Sequence, residues 1–353
     1  SLTLTRRNYS TPLCAMAFEF TEIGDPVYRT TCADRGQEDY LLVRPTDSSS
    51  VPVTLPDWSP EPCCLNKKFT GYAKLFKNLE VRPDDVWLVT YPKSGTTWCQ
   101  EMIWLVCNDL DYVKASEVSL GKRFPFIDMT ALRDLPEGKD PFEDTIAMPS
   151  PRFVKSHLPV ALLPEQLWTA KPRLVYVRRN PKAVAVSYYH HSVMFHNYKG
   201  TMEQFVESFV KDLEYYSPYH RHVLEFHNLD YGDNLLHLCY EDMKTDLKAT
   251  LRKVCQFFGK SYSEEQLDKL ESHLSFDSMK NNKAVNAQDW VEFQLQSTNR
   301  TDRLGDQNYR FIRRGESNGW RSELSPELVR KLDAWNERKV AECGQGELFS
   351  YKD

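Results

Sequence analysis

The segment "LVTYPKSGTTWCQE", residues 88–101, constrains the fold more than any other stretch of the chain. A short apolar run meets a proline, then a lysine, a serine, a glycine and two threonines, and a helical pattern follows. Strand, loop and helix in that order make an anion site. The N–H groups of a helix's first turn lack internal acceptors, and the helix dipole adds positive potential. Gly95 lets the backbone approach a phosphate closely, and Lys93 supplies a mobile charge. The usual phosphate loop reads G-x-x-x-x-G-K-[ST]; here the lysine precedes the glycine. The loop therefore asks for a nucleotide without saying which group is passed on.

The rest of the chain alternates in the same way. Residues 85–91 (DVWLVTY), 152–159 (RFVKSHLP), 173–180 (RLVYVRRN) and 235–243 (LLHLCYEDM) read as strands. Helical patterns lie between and after them, at 96–109, 181–195, 201–213, 246–259, 263–274 and 325–340. In the first, Trp98, Met102, Leu105 and Val106 share a face. Pro181 suits a first helical turn, Gly259 a helix stop, and Ser263 with Gln266 a capping box. This alternation predicts βαβ units: an α/β fold with a central, mostly parallel sheet flanked by helices in three layers. Ligands of such sheets sit beyond the C-terminal ends of the strands. The residues just after each strand therefore form one group: 93–97, Lys155-Ser156-His157, Arg178-Arg179-Asn180 and Tyr240-Glu241-Asp242.

Composition narrows the function classes. The chain has 353 residues, 41% of them apolar and 12% aromatic, enough for a large core. Its net charge of −5 gives no basic field for nucleic acid or an anionic membrane. No apolar run approaches the ~18 residues of a membrane-spanning helix. The nine cysteines show no CxxC or zinc spacing, which predicts reduced thiols in a cytoplasmic protein. Residues 1–15 carry Arg6, Arg7, several Ser and Thr and no acid, the composition of a transit peptide or a vector-derived leader. The second reading is preferred, with Met16 as a candidate start. Residues 16–64 form an N-terminal extension: a strand candidate at 39–45, then a Ser/Pro-rich linker or surface loop. Residues 65–353 are read as a single domain.

The strand-end groups suggest a reaction. Arg178 and Arg179 point to opposite faces, so one of them faces the ligand. Ser187, two turns into the next helix, adds a hydroxyl to the same phosphate. In "RRGESNGW", Arg313, Arg314 and Gly315 look like a second phosphate clamp. Two separated phosphates do not describe ATP. ATP-using phosphate-loop proteins also hold Mg²⁺ with an acid at a neighbouring strand end; here the neighbouring strands end in Lys155-Ser156-His157 and Arg178-Arg179, and neither offers that acid. A sulfonate carries less charge than a phosphoryl group, and lysines with backbone donors can neutralise its transition state without a metal. Lys155 and His157 face the same side of a strand, and an imidazole suits taking a proton from an acceptor hydroxyl. His190, His191 and His196 have no carboxylate or thiol to complete a metal set, and are read as structural.

These residues together resemble the cytosolic sulfotransferases. "TYPKSGTTW", "RFVKSHLP", "LVYVRRNPKAVAVSYYH", "CYEDM", "SFDSMK" and "FIRRGESNGW" occur in family order across about residues 65–342. The resemblance implies a P-loop-kinase-like fold and 3′-phosphoadenosine 5′-phosphosulfate (PAPS) as co-substrate, with adenosine 3′,5′-bisphosphate as product. It implies that Lys93, Ser94, Gly95, Thr96, Thr97 and Trp98 bind the 5′-phosphosulfate. Arg179, Ser187, Arg313, Arg314 and Gly315 would bind the 3′-phosphate. Trp98, Tyr240, Phe276 and Met279 would surround the adenine. His157 would be the general base, with Lys93 and Lys155 stabilising the bridging and transferred oxygens in an in-line displacement. Two departures stand out. Leu274 occupies the place of a small hydroxyl residue that touches adenine, with Ser275 as its candidate replacement. The family's dimer motif, K-x-x-x-T-V-x-x-x-E, is broken by Pro326 and Arg330, which leaves monomer or homodimer open. Residues 123–128 and 192–200, aromatic and apolar, are expected to line the pocket of a small acceptor such as a phenol or hydroxysteroid. An ATP/Mg²⁺ kinase and a nucleotide-regulated binding protein are the rivals. A dehydratase that sulfonates an alcohol and then eliminates it would use the same site.

Overall fold

The computed structural model describes residues 17–25, 40–135, 138–306 and 309–351. The expected leader, 1–15, lies outside them. Among the described residues seven strands form two sheets: β1 (Phe18–Glu22), β2 (Tyr40–Pro45), β3 (Cys63–Asn66), β4 (Val86–Thr90), β5 (Phe153–Ser156), β6 (Arg173–Arg178) and β7 (Leu235–Cys239). The last four are parallel, in the order β5-β4-β6-β7, with Val86 opposite both Phe153 and Arg173. The residues of β4, VWLVT, are buried throughout, as a parallel strand covered on both faces must be. The alternation of its side chains feeds two cores. Trp87 and Val89 join Val154, Leu174 and Tyr176 on one face. Val86 and Leu88 join Phe153, Val175 and Leu236 on the other.

Seven helices matter for the site: α1 (Thr96–Cys107), α2 (Pro181–Phe195), α3 (Tyr219–His227), α4 (Tyr240–Thr245), α5 (Phe276–Asn281), α6 (Gln288–Ser297) and α7 (Pro326–Cys343). Three depart from the sequence reading or explain it. Helix α1 is buried from Cys99 to Val106 on every side, not along one stripe. It lies between the sheet and a further helical layer, so even Glu101 is interior, paired with Arg123 at 2.7 Å and His273 at 2.9 Å. Strand β7 is shorter than expected, because Tyr240 already begins α4. Glu241 and Asp242 then stand in its first turn, where the dipole favours carboxylates. In α7, Pro326 is the first helical residue and Ser325 the cap, a place where proline costs no hydrogen bond.

The extension adds an antiparallel sheet, β1-β2-β3. The strand candidate at 39–45 is β2; β1 and β3 had no sequence signal strong enough to name. Phe18, Tyr40, Val43 and Leu65 pack into the same core as Trp87 and Tyr176. The Ser/Pro-rich loop after β2 is tied down by backbone bonds, Thr54 N–H to the Asn228 carbonyl at 2.9 Å and Asp230 N–H to that of Pro52 at 2.8 Å. No helix among the described residues is long and apolar enough to cross a membrane.

Candidate active site

A cavity of about 790 Å³ opens at the C-terminal edge of the parallel sheet. Its wall brings together Lys93, Gly95, Thr96, Thr97, Trp98, Lys155, His157, Arg179, Ser187, Tyr240, Phe276, Met279, Arg313, Arg314 and Gly315. Of the residues named from sequence, Ser94 and Ser275 are set back. Ser94 is fully buried beneath its loop with its hydroxyl unpartnered. Ser275 is spent on local structure: it caps α5 by accepting from Ser278 N–H at 3.4 Å, while Trp98 Nε1 donates to the Leu274 carbonyl at 2.9 Å.

The loop after β4 bends through two left-handed residues, Lys93 (φ 68°) and Gly95 (φ 97°). Gly95 has two reasons to lack a side chain. An L-residue is strained at that φ, and a Cβ would stand 2.6 Å from Cδ2 of Tyr240. Gly315 repeats the arrangement at φ 65°, where a Cβ would meet Phe276 at 2.3 Å. Both glycines let an aromatic ring lie flush against the backbone.

The two lysines carry charge in a place that resists it. The Lys93 ammonium lies 3.5 Å from His191 Nδ1 and 4.9 Å from the Phe311 ring. Burial first, and then Lys155, Arg179 and Arg313, bring its pKa down to about 7. Lys155 sits 4.2 Å over the Phe126 ring. Burial lowers it to about 8, against the pull of Asp128. Mutually repelling, desolvated cations favour an anionic guest.

His157, the first residue past β5, is held from three directions. Its ring Nδ1 lies 2.7 Å from the Thr90 carbonyl. A carbonyl can only accept, so Nδ1 carries the proton and Nε2 is left as the acceptor. Its backbone N–H donates to Asp128 Oδ2 at 2.7 Å, and its carbonyl accepts from His222 Nε2 at 3.0 Å. Burial, aided by Lys155, drives the imidazole well below its usual pKa. The ring is therefore neutral at pH 7. Asp128, just before the short helix Met129–Leu132, is an acid that sequence reading had not tied to His157. Its two oxygens are committed to Ser156 Oγ at 2.8 Å and to the His157 N–H, and burial raises its pKa to about 6.

Arg179 stitches the walls together. Nη1 donates to the Lys93 carbonyl at 3.0 Å and Nη2 to that of Glu316 at 2.9 Å, with the guanidinium 4.0 Å over the Tyr240 ring. Its buried Nε has no partner. Arg178 turns the other way, 5.1 Å over Tyr351, as strand alternation requires. Arg313 donates to Glu323 Oε1 at 2.8 Å, and Arg314 lies 3.2 Å from the same oxygen.

The other end of the cavity is aromatic. Phe126, Phe195, Phe311, Tyr215, Tyr216 and Trp290 line it, the last three from segments that sequence reading had left out. His191, read as structural, faces Lys93. Its signal was a pair of adjacent histidines, which says nothing about which one turns inward. Asp128 and Glu323 were missed because each acts from a separate segment.

The Sulfotransferase domain model matches residues 83–344. Luciferin sulfotransferase of Photinus pyralis is 35% identical over 334 residues, covering 91% of this chain and 84% of that protein. Sulfotransferase 1A1 of Canis lupus familiaris is 35% identical over 282 residues, 79% of this chain and 91% of that one. Among solved structures, retinol dehydratase in complex with androsterone and the inactive cofactor PAP superposes with a TM-score of 0.77 at 27% identity, covering 92% and 96% of the two chains. With the loop, the sheet and the motifs in family order, this chain belongs to the sulfotransferase family and is a transferase of sulfonate groups.

Proposed function

We propose that the protein moves a sulfonate group from PAPS to the hydroxyl of a small apolar acceptor, with His157 as the base. The observation that carries this reading is the fixed tautomer of His157, which leaves an unprotonated Nε2 beside two lysines in an anion-seeking cavity. PAPS supplies the sulfonate and a stable leaving group, adenosine 3′,5′-bisphosphate. The chain's own residues do the rest. Backbone N–H groups of Thr96 and Thr97 and the Lys93 ammonium receive the 5′ end. Arg179, Ser187 and Arg313 to Gly315 receive the 3′-phosphate, and the buried unpartnered Nε of Arg179 fits such a guest. Trp98, Tyr240, Phe276 and Met279 offer the adenine an aromatic and apolar slot. His157 Nε2 takes the acceptor's hydroxyl proton as oxygen attacks sulfur, and Lys155 stabilises the transferred oxygens.

A panel of phenols, sterols and retinoids with labelled PAPS tests the assignment, together with calorimetry against ATP plus Mg²⁺. Binding of ATP without binding of adenosine 3′,5′-bisphosphate would overturn it. The likeness to retinol dehydratase supports a second reading on the same site. In this second reading the sulfate ester, once formed, loses sulfate by C–O cleavage as a base removes a proton from carbon. Product analysis separates the two, since a sulfate ester marks transfer and an alkene with free sulfate marks elimination.

A further inference from the structure

Glu323 occupies an unexpected position for a phosphate site. It ends the short helix Trp320–Glu323 and lines the cavity with its carboxylate only 13% exposed. Oε1 accepts from Arg313 at 2.8 Å and lies 3.2 Å from Arg314. Oε2 is 2.5 Å from His190 Nε2. Burial alone would raise its pKa, but the bonds to His190 and Arg313 outweigh it and hold the carboxyl at about 2. The group is therefore an anion at every working pH. His190 stands three residues beyond Ser187 on α2, so the two share a helix face. An acidic oxygen pair is thus held where Ser187, Arg313 and Arg314 are assigned to receive a phosphate.

We propose that Glu323 is an internal counter-ion that competes with the 3′-phosphate for Arg313 and Arg314, and so weakens the hold on the bisphosphate product. This rests on the PAPS reading above. The carboxylate neutralises Arg313 and Arg314, which would otherwise repel each other, and tempers the repulsion of Lys93 by Arg313. It also keeps their forks extended toward the cavity. When a nucleotide enters, a doubly charged 3′-phosphate meets a fixed negative charge behind the same guanidiniums. Arg313 has donors enough to serve both, but the like charges oppose each other through the interior. Pre-organisation is retained, while tight product binding is prevented. Product release limits turnover in many enzymes, so a built-in competitor for the product's distinguishing group favours flux.

The test compares two nucleotides that differ only in the 3′-phosphate, adenosine 3′,5′-bisphosphate and adenosine 5′-monophosphate. Their dissociation constants are measured for wild type, Glu323→Gln and Glu323→Ala. The monophosphate arm also reports that each variant is folded and competent. Expected are bisphosphate binding about tenfold tighter in both variants, the effect of removing one nearby like charge, and monophosphate binding unchanged. With turnover limited by release, kcat should fall while the KM for PAPS falls too. Bisphosphate binding that weakens or stays the same, with the monophosphate arm intact, would overturn the proposal. Equal changes for both nucleotides would also refute it, since the effect would not belong to the 3′-phosphate. If wild type binds the monophosphate but gains nothing from the added phosphate, the PAPS reading itself fails.

Discussion

His157 acts as a base because of what holds it. With Nδ1 fixed by the Thr90 carbonyl and the backbone pinned by Asp128 and His222, the ring presents one nitrogen in one direction. Replacing it with alanine should cut kcat by about 10²- to 10⁴-fold, the usual share of a general base, while adenosine 3′,5′-bisphosphate binds as before by calorimetry. A variant that transfers sulfonate at the wild-type rate would remove His157 from the role. The pH profile follows from the same surroundings. The imidazole's affinity for protons is depressed, so its basic form is complete at pH 6.5 and is lost only well below it. The lysines limit the other side. Lys93 at about 7 and Lys155 at about 8 lose their charge as pH rises through that window in the free enzyme. Consequently kcat/KM for PAPS should decline above pH 7 to 8, while kcat, which reports the loaded site, should hold to higher pH. Lys93→Arg keeps its charge and should move the alkaline limb upward; a limb that stays in place would assign it elsewhere. Lys155 and His157 were readable from their spacing of two. Asp128 and Thr90 were not, because they act through a backbone N–H and a carbonyl that no side-chain pattern records.

At the scale of elements, the sequence spoke clearly where burial is two-sided or capping is local. Strand β4 and the capping box at Ser263 follow from residue type alone. Helix α1 misled because a helix enclosed on all sides keeps no polar face to mark its apolar one. Strand β3 was hidden for a different reason: four residues, Cys63-Cys64-Leu65-Asn66, are too few to show a period. Strand β7 was overextended because a tyrosine and an apolar run look alike whether they end a strand or begin a helix. The loop between β4 and α1 gives a test at this scale. Gly95→Ala places a methyl against Tyr240 at a left-handed φ, a backbone cost of about 1–2 kcal/mol before any displacement of the ring. Bisphosphate affinity should drop at least about tenfold, which at this scale corresponds to about 1.4 kcal/mol. Gly71→Ala, with nothing within 4 Å, is the control and should leave both affinity and melting temperature unchanged. Similar losses in the two variants would mean that the Tyr240 contact is not what requires the glycine.

Across the whole molecule, the residues assigned to the nucleotide come from segments as far apart as Lys93 and Gly315, which Arg179 already ties together, so a bound guest would add to that tie. Bisphosphate at about 100 times its dissociation constant should add about 2.7 kcal/mol to stability, a rise of several degrees in melting temperature that thermal denaturation can follow. Arg179→Ala, which removes the bonds to the Lys93 and Glu316 carbonyls, should shrink that rise; an unchanged rise would exclude Arg179 from the site. The strand order β5-β4-β6-β7 also bears on the life of the nascent chain. β4 is the first of its sheet to be made and ends between two neighbours that appear only from residues 153 and 173 onward. Until then a fully apolar ribbon has both edges open, the condition in which chains adhere to one another. The phosphate loop hangs from that ribbon, so no nucleotide can rescue it early. Chaperone supply and synthesis rate, more than ligand, should therefore set how much of this enzyme is recovered in native form.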